Sequence, residues 1–546
     1  MPLYEKVKEI LVLRKITIIK YTFSIVITLC SFFTTNNLLF LFFSILELVI
    51  IFSLSNALVK KSNLWGNILN FILILLYNIE LLVLNFADSF VTLIMINNLS
   101  SWEALKGRIV IYLTGITLLI IFSSLPIVYI DFNYSNFSRA KKVVIRFQNL
   151  KLLSLVTFIE IILLLCLGTG FSPAMSIYDL SNNISKYNQL LQINSSKNIK
   201  SEQFHRSEIP NHRDKPKNLP ERPNVILIFT EGMSQHIIDD DRNVVPNLRN
   251  IQSVSLRFDN YYNHTFATYA GIIGQLYSGY QLKNSDKNYL ISLPQILEGF
   301  GYQTAFINTE PKNREFTTYL GNLGFEKVIS APINKSLGVS SDKNAYRKLF
   351  DEMNSQGEKP FLLTMYTFGT HIGMDGFEKK FGDGKDRLLN RFHDMDFQFG
   401  KFIDEFNKSK FSENTIVIFT TDHATFVDDE YRSSFPKNTR VQGNLDRIPL
   451  FIYYKGINPE VINVDGKNSV NLTPTILDYL DYSAGNYFLG QSLFSKSENN
   501  SIYSTLFVSE LTYRTTKGNK ISEIPKDEKE ETEQKVSEYY SIARNK

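Results

Sequence analysis

The chain has 546 residues, 44% hydrophobic and 21% charged, with a formal net charge of +4; at ~100–200 residues per domain this allows two to four domains and excludes a disordered or collagen-like chain. Two cysteines exclude a disulfide scaffold and a cysteine-rich zinc module. The mean hydropathy of −0.08 averages two unlike parts: Leu, Ile, Phe and Val dominate up to about Gly170, and beyond it the chain reads as a soluble protein carrying all seven histidines.

Five apolar runs, at 16–33, 38–58, 68–96, 110–130 and 152–168, match the ~20 residues needed to cross a bilayer. Residues 1–170 are therefore expected to form a five-span α-helical membrane bundle. The first run is followed too closely by others to be a cleaved signal peptide. Basic residues cluster at the N-terminus (Lys6, Lys8, Arg14, Lys15), in the second loop (Lys60, Lys61) and in the fourth (Arg139, Lys141, Lys142, Arg146). The first loop, 34–37, is uncharged, and the third mixes Glu103, Lys106 and Arg108. By the positive-inside rule the N-terminus is cytoplasmic, and an odd number of spans puts everything after Gly170 outside the cytoplasmic membrane. Cys30 and Cys166 fall inside spans, so the outer part has no disulfide and no cysteine nucleophile. Glu47, Glu80, Asp88 and Glu160 lie at membrane depth or near its edge. No basic partner for them is obvious within the spans, so interfacial placement or pairing within the bundle is expected for them.

Residues 171–222 read as a linker: 181–222 is polar, ends in the proline-containing stretch 215–223, and has room for a surface helix at 187–193. A soluble domain is expected over 223–495 and a tail over 496–546, which turns dense in Lys and Glu after about Lys517 and reads as a solvated helix or disordered. Within the domain, short apolar runs at 225–229, 304–307, 360–366, 415–420 and 449–454 alternate with helical patterns at 293–300, 397–406 and 473–480. Such alternation predicts an α/β fold with a largely parallel sheet.

In sheets of this kind ligands gather beyond the carboxyl ends of the strands. The run at 225–229 leads into Thr230-Glu231-Gly232, the run at 415–420 into Thr421-Asp422-His423, and the run at 360–366 into Gly369-Thr370-His371. A Glu, an Asp and a His converging at one sheet edge suit Zn²⁺ or Mn²⁺. Each residue alone is more often a solvated or capping group; their shared placement at strand ends is the signal. A hydroxyl nucleophile is available in Asn263-His264-Thr265-Phe266-Ala267-Thr268, just before a helix expected to begin near Thr268, whose N-terminus suits an anion. Either threonine could also be a simple N-cap.

These residues give the chain a resemblance to the alkaline phosphatase/sulfatase superfamily, in its membrane-anchored lipoteichoic acid synthase and phosphoethanolamine/phosphoglycerol transferase branch. The resemblance rests on Asn224-Val225-Ile226-Leu227-Ile228-Phe229-Thr230-Glu231, Val245-Pro246-Asn247-Leu248, Leu293-Pro294-Gln295-Ile296-Leu297, Thr370-His371, Asp394-Met395-Asp396, Thr421-Asp422-His423, Thr473-Pro474-Thr475 and Leu489-Gly490-Gln491-Ser492-Leu493, in that order. It implies an α/β sulfatase-like domain. It also implies one divalent metal, Mn²⁺ or Zn²⁺, held by Glu231, Asp422 and His423 together with a threonine nucleophile. Family nucleophiles carry a Ser or Thr three residues later, which makes Thr265 the nucleophile, with Thr268 as the fallback and as a substrate-side hydroxyl. His371 matches a substrate-binding histidine able to act as acid or base, and Arg314 matches an arginine that grips the phosphate or head group. Asp422-His423 is followed by Ala424 in place of the usual glycine, and no second histidine follows closely, which argues against a second metal.

The implied function is transfer of glycerol phosphate or ethanolamine phosphate from a membrane phospholipid, phosphatidylglycerol or phosphatidylethanolamine, to an extracytoplasmic glycan or polymer. The alternative is hydrolysis of a cell-surface phosphodiester or phosphate ester at the same site. A non-catalytic scaffold is disfavoured by the joint presence of Glu231, Thr265, Asp422 and His423, and a transporter by the large outer domain. No nucleic-acid partner is expected.

Overall fold

The computed structural model describes residues 3–87, 89–98, 109–130, 150–192, 201–283, 286–334, 338–438, 440, 445–499, 501–507 and 510–545. They divide into two compact units: Met1–Tyr187 with Leu506–Leu511, and Asn188–Thr505 with Thr512–Lys546.

The first unit is helical. Helices Leu3–Thr35, Leu38–Lys61 and Asn63–Ala87 each hold an apolar stretch of 24 residues, long enough to cross a membrane. Two further apolar helices, Ile109–Ser124 and Leu150–Leu167, are shorter. Among the described residues, length and composition thus support three candidate spans where five were expected. The expected run at 68–96 is interrupted, because its helix stops at Ala87 and a separate short helix, Leu93–Asn98, follows. Asp88 and the charged loop residues Glu103, Lys106, Arg108, Arg139, Lys141, Lys142 and Arg146 lie outside the described residues.

Buried polar groups tie these helices together, as expected where apolar contact alone gives little specificity. The Tyr77 hydroxyl lies 2.8 Å from that of Thr28 and donates to the Ser44 carbonyl at 3.0 Å. Asn70 Nδ2 donates to Ser55 Oγ at 3.1 Å. The acids serve as caps: Glu47 accepts from the Ser172 hydroxyl and from the Ala174 N–H at 3.2 Å, and Glu80 accepts from the Val91 N–H at 2.9 Å. Ala174 is in the first turn of helix Pro173–Gln192, so this helix begins well before the 187–193 segment expected from sequence.

The second unit is built on an eight-stranded sheet: β1 Asn224–Thr230, β2 Leu256–Asp259, β3 Gln303–Asn308, β4 Lys327–Ser330, β5 Phe361–Thr367, β6 Thr415–Thr421, β7 Phe451–Tyr453 and β8 Glu460–Asn463, in the order β4-β3-β5-β1-β6-β7-β2-β8. Its pairings are parallel except for those of β7 with β6 and β2. β1 is central and wholly buried between β5 and β6, which is why its sequence is one continuous apolar run without alternation. Val225, Leu227 and Phe229 face one core with Ile272, Ile273 and Leu276 of helix Thr268–Tyr277. Ile226 and Ile228 face the other with Phe392, Met395, Phe399 and Phe406 of helix Arg387–Lys408. The Asp394-Met395-Asp396 motif is structural. Asp396 accepts the N–H groups of Asn247 and Leu248 at 3.1 and 2.7 Å, at the start of helix Pro246–Ser253. Asp394 accepts those of Phe377, Glu378 and Lys379.

Two segments differ from expectation. Residues 201–222 lie along the domain: Arg206 forms an antiparallel bridge with Asn486, and Ile209 and Leu219 are buried in its core. The C-terminal segment forms strands β9 Ile502–Phe507, β10 Glu510–Lys517 and β11 Lys520–Glu523, then helix Lys526–Arg544. Val536, Tyr539, Tyr540 and Ala543 of that helix are buried. Their spacing of i, i+3, i+4 and i+7 is the stripe of an amphipathic helix, hidden in the sequence by flanking charges. The Tyr539 ring packs edge-on to Phe204 at 5.8 Å and fills the space that a Cβ on Gly279 would need. Tyr539→Ala should therefore cost about 3–5 kcal/mol in chemical denaturation of the full-length protein, whereas a solvated tail would change stability by less than about 0.5 kcal/mol.

Candidate metal centre

β1 and β6 run parallel in a register that sets Thr230 beside Thr421. The next residue of each strand, Glu231 and Asp422, therefore leaves the sheet edge side by side. The junction is held by the Thr421 hydroxyl, which donates to the Thr230 carbonyl at 2.6 Å and accepts from the Met233 N–H at 3.0 Å. Gly232 follows at φ +50°, and a Cβ there would lie 3.2 Å from the His423 ring; glycine both adopts this conformation and leaves room for the imidazole.

Glu231, Asp422 and His423 are buried, with ligand atoms all within 4.8 Å of one another. His423 Nε2 is 3.4 Å from Glu231 Oε1 and 3.4 Å from Asp422 Oδ2. Its Nδ1–H donates to the Ala424 carbonyl at 2.7 Å, which fixes the ring with Nε2 towards the acids. Asp422 Oδ1 accepts the N–H groups of Gly232 and His423 at 2.9 and 2.8 Å, while Oδ2 is buried with no hydrogen-bond partner. Burial pushes Asp422 up to about 7, reinforced by the Glu231 charge. For Glu231 burial works upward, yet His423, His371 and Tyr366 hold it well below the usual carboxylate range. Burial disfavours the His423 cation, but the two carboxylates outweigh it and push the ring up to about 9. A proton on Nε2 thus stands where a cation would sit. A carboxylate oxygen that accepts no hydrogen bond, a second carboxylate and one aimed imidazole nitrogen fit one divalent ion of the Zn²⁺ or Mn²⁺ type.

The threonine segment lies against this cluster. Helix Thr268–Tyr277 packs flush onto the β6 end: a Cβ on Gly271 would overlap the Asp422 carbonyl, and Gln275 Nε2 donates to the Thr421 carbonyl at 2.9 Å. The Thr268 hydroxyl donates to Glu231 Oε2 at 3.2 Å. Thr265 is buried three residues earlier, and its carbonyl accepts from Asn263 Nδ2 at 2.9 Å. Between them the Phe266 ring lies 6.3 Å from the His423 ring and 4.8 Å from Phe426. Ala267 has φ 81° and ψ 149°, a strained conformation for a residue with a Cβ. His264 is anchored through its N–H and Nδ1 to Ser469 Oγ at 3.0 and 2.6 Å, and burial pushes it down to about 3, so it is neutral.

Of the other residues singled out in the sequence, His371 is half-buried beyond β5, stacked on Phe368 at 4.5 Å with Nδ1 bonded to the Ile372 carbonyl at 2.9 Å. It lies within electrostatic reach of Glu231. Arg314 begins helix Arg314–Gly321 with an exposed side chain, and among the described residues no contact ties it to the acidic cluster. Sequence reasoning missed Tyr366, whose hydroxyl donates to Glu231 Oε2, and Thr370, whose hydroxyl donates to the Glu231 carbonyl at 2.6 Å.

Two consequences are measurable. Mn²⁺ or Zn²⁺ at about 100 times its Kd should stabilise the full-length protein by about 2.7 kcal/mol and leave Asp422→Asn unshifted; equal stabilisation of both would remove Asp422 from the site. Tyr366→Phe should weaken metal binding about 10–100-fold in equilibrium dialysis, the range for an outer partner of a ligand.

Residues 223–482 match the Sulfatase family. No curated protein matches the sequence. Among solved structures, the chain is similar to a protein of the alkaline phosphatase superfamily from Vibrio parahaemolyticus, at 19% identity and TM-score 0.50, covering 65% of this chain and 94% of that one. It is similar to the integral membrane protein lipooligosaccharide phosphoethanolamine transferase A of Neisseria meningitidis, at 13% identity and TM-score 0.53, covering 85% and 95%. A lipoteichoic acid synthase of Listeria monocytogenes aligns at 17% identity and TM-score 0.49, covering 61% and 96%. At these identities the likeness is one of fold. The match to the Sulfatase family thus spans residues 223–482, a little under half of the chain, and an apolar helical region precedes that stretch.

Proposed function

We propose that this protein transfers a phospho-head group, glycerol phosphate or ethanolamine phosphate, from a membrane phospholipid to an extracytoplasmic glycan or polymer. The carrying observation is the buried Glu231–Asp422–His423 cluster with an Asp422 oxygen that accepts no hydrogen bond, set against a threonine-bearing segment in a chain with apolar helices long enough to reach a lipid donor. On this reading the two shorter apolar helices also cross the cytoplasmic membrane. The basic residues at the N-terminus and in the second loop face the cytoplasm, and the domain lies outside.

Glu231, Asp422 and His423 would hold one divalent ion, which when bound draws charge from phosphate oxygens and eases ionisation of a nearby hydroxyl. Thr265 is the nucleophile. Its Oγ forms a bond to phosphorus, its proton passes to water, and the bond from phosphorus to the diacylglycerol oxygen breaks. Thr268, already engaged with Glu231, orients the acid. His371 protonates the leaving oxygen and later takes the proton of the acceptor hydroxyl, whose oxygen bonds to phosphorus as the bond from phosphorus to Thr265 Oγ breaks and Oγ regains a proton from water. Arg314, exposed at its helix start, grips the phosphate or head group through its guanidinium.

The test is intact-mass spectrometry of the full-length protein with phosphatidylglycerol, phosphatidylethanolamine and Mn²⁺ or Zn²⁺. The expected result is an added glycerol phosphate or ethanolamine phosphate that is absent from Thr265→Ala. An adduct lost only in Thr268→Ala moves the nucleophile, and free head group released without any adduct favours hydrolysis. His371→Gln should slow diacylglycerol release by about 10²–10⁴-fold, with the metal-induced stabilisation retained.

A further inference from the structure

A cavity of about 150 Å³ lies at the far end of helix Thr268–Tyr277 from the metal centre, ~15 Å away by helical rise. Its wall carries Arg206, Lys467 and Lys535, with Tyr280, Asn471 and Gln491 among its other groups, and no carboxylate. The three cations come from three separate segments: the 201–222 strap, the turn before the short helix Ser469–Asn471, and helix Lys526–Arg544. Arg206 donates one N–H to the Gly490 carbonyl at 2.9 Å. Lys467, only 5% exposed, donates to the Ser495 carbonyl at 2.7 Å. Neither bond is to a charged group, and no ion pair among the described residues neutralises any of the three. Burial lowers the pKa of both Arg206 and Lys467, with Asp465 opposing for Lys467.

Three cations lining one small cavity whose wall holds no carboxylate create a local positive field that favours an anion there. Donors arriving from three directions suit a group with several charged oxygens, as guanidinium and ammonium bind phosphate. At about 30 Å³ per water the space holds about five waters, enough for one tetrahedral oxyanion and too little for a whole phospholipid. We propose that the Arg206–Lys467–Lys535 cavity binds a phosphate group, either free or at the end of a small ester or polymer. The site stands apart from the metal centre and does not depend on the reaction proposed there.

The test is calorimetric titration of the full-length protein in detergent with chelator present. The ligands are inorganic phosphate, glycerol 3-phosphate and a short polyglycerol-phosphate oligomer. One saturable phosphate site is expected, weakened at least about fivefold in Lys535→Gln and in Arg206→Gln, and unchanged in Thr265→Ala. Lys535 is exposed on its helix, so its substitution spares folding if Arg206→Gln disturbs the strap. Tighter binding of inorganic phosphate identifies a free anion as the occupant; tighter binding of the ester or oligomer identifies a substituted phosphate. Absence of saturable binding, or equal binding in wild type and both cation variants, overturns the proposal.

Discussion

The parallel register of β1 against β6 is the constraint on which the rest depends. It aligns Thr230 with Thr421, so the two strands end together and the residues they release, Glu231 and Asp422, are forced into contact range. A slip of one residue would turn each side chain to the opposite face, and the pair would be lost. Two adjacent buried acids are unfavourable in themselves. The strands can impose them because the pairing is embedded in apolar layers on both faces, with Val225–Phe229 and Ile416–Phe419 wholly inaccessible. Local electrostatic cost at the sheet edge is offset by packing in its middle, a division common at functional sites.

The second demand is to bring a hydroxyl segment onto that edge. Close approach is set by Gly271, where helix Thr268–Tyr277 meets the Asp422 backbone, and by Gln275, which reaches the Thr421 carbonyl. The chain then enters the helix through Ala267 in a strained conformation. Neutral His264, pinned to Ser469, anchors the other end. The result is a short segment with little freedom, carrying Thr265 and Thr268 past the imidazole of His423. For the proposed transfer, such fixed placement of a nucleophile is the form in which a protein scaffold contributes to rate.

The strand-end rule singled out Glu231, Asp422, His423 and His371 because each follows an apolar run long enough to identify as a buried strand, and the structure gathers the first three. Tyr366 escaped it, since it lies inside the run Phe361–Thr367 and looks like any core aromatic. Only the β5–β1 register, which pairs it with Phe229 two residues before Glu231, shows that its hydroxyl reaches the edge. Arg314 carried no local signal and is exposed in the structure. The tail misled through composition: the charges of 526–535 dominate the count, while the stripe from Val536 to Ala543 decides the packing. The strap at 201–222 resembles a linker in sequence because its two anchoring apolar residues, Ile209 and Leu219, are too few to show a period. In the first unit, apolar runs located the helices, but the third helix ends at Ala87 inside an apolar run, where Glu80 accepts the Val91 N–H, a bond that averaged hydropathy does not report.

The central claim is that three strand-end side chains form one metal centre. Anomalous diffraction from crystals of the full-length protein grown with Mn²⁺, recorded at the manganese edge, tests it most directly. A single strong peak within bonding distance of the Glu231 and Asp422 carboxylates and His423 Nε2 is the predicted result. A protein that binds Mn²⁺ with its peak elsewhere, leaving these three side chains unliganded, would contradict the account.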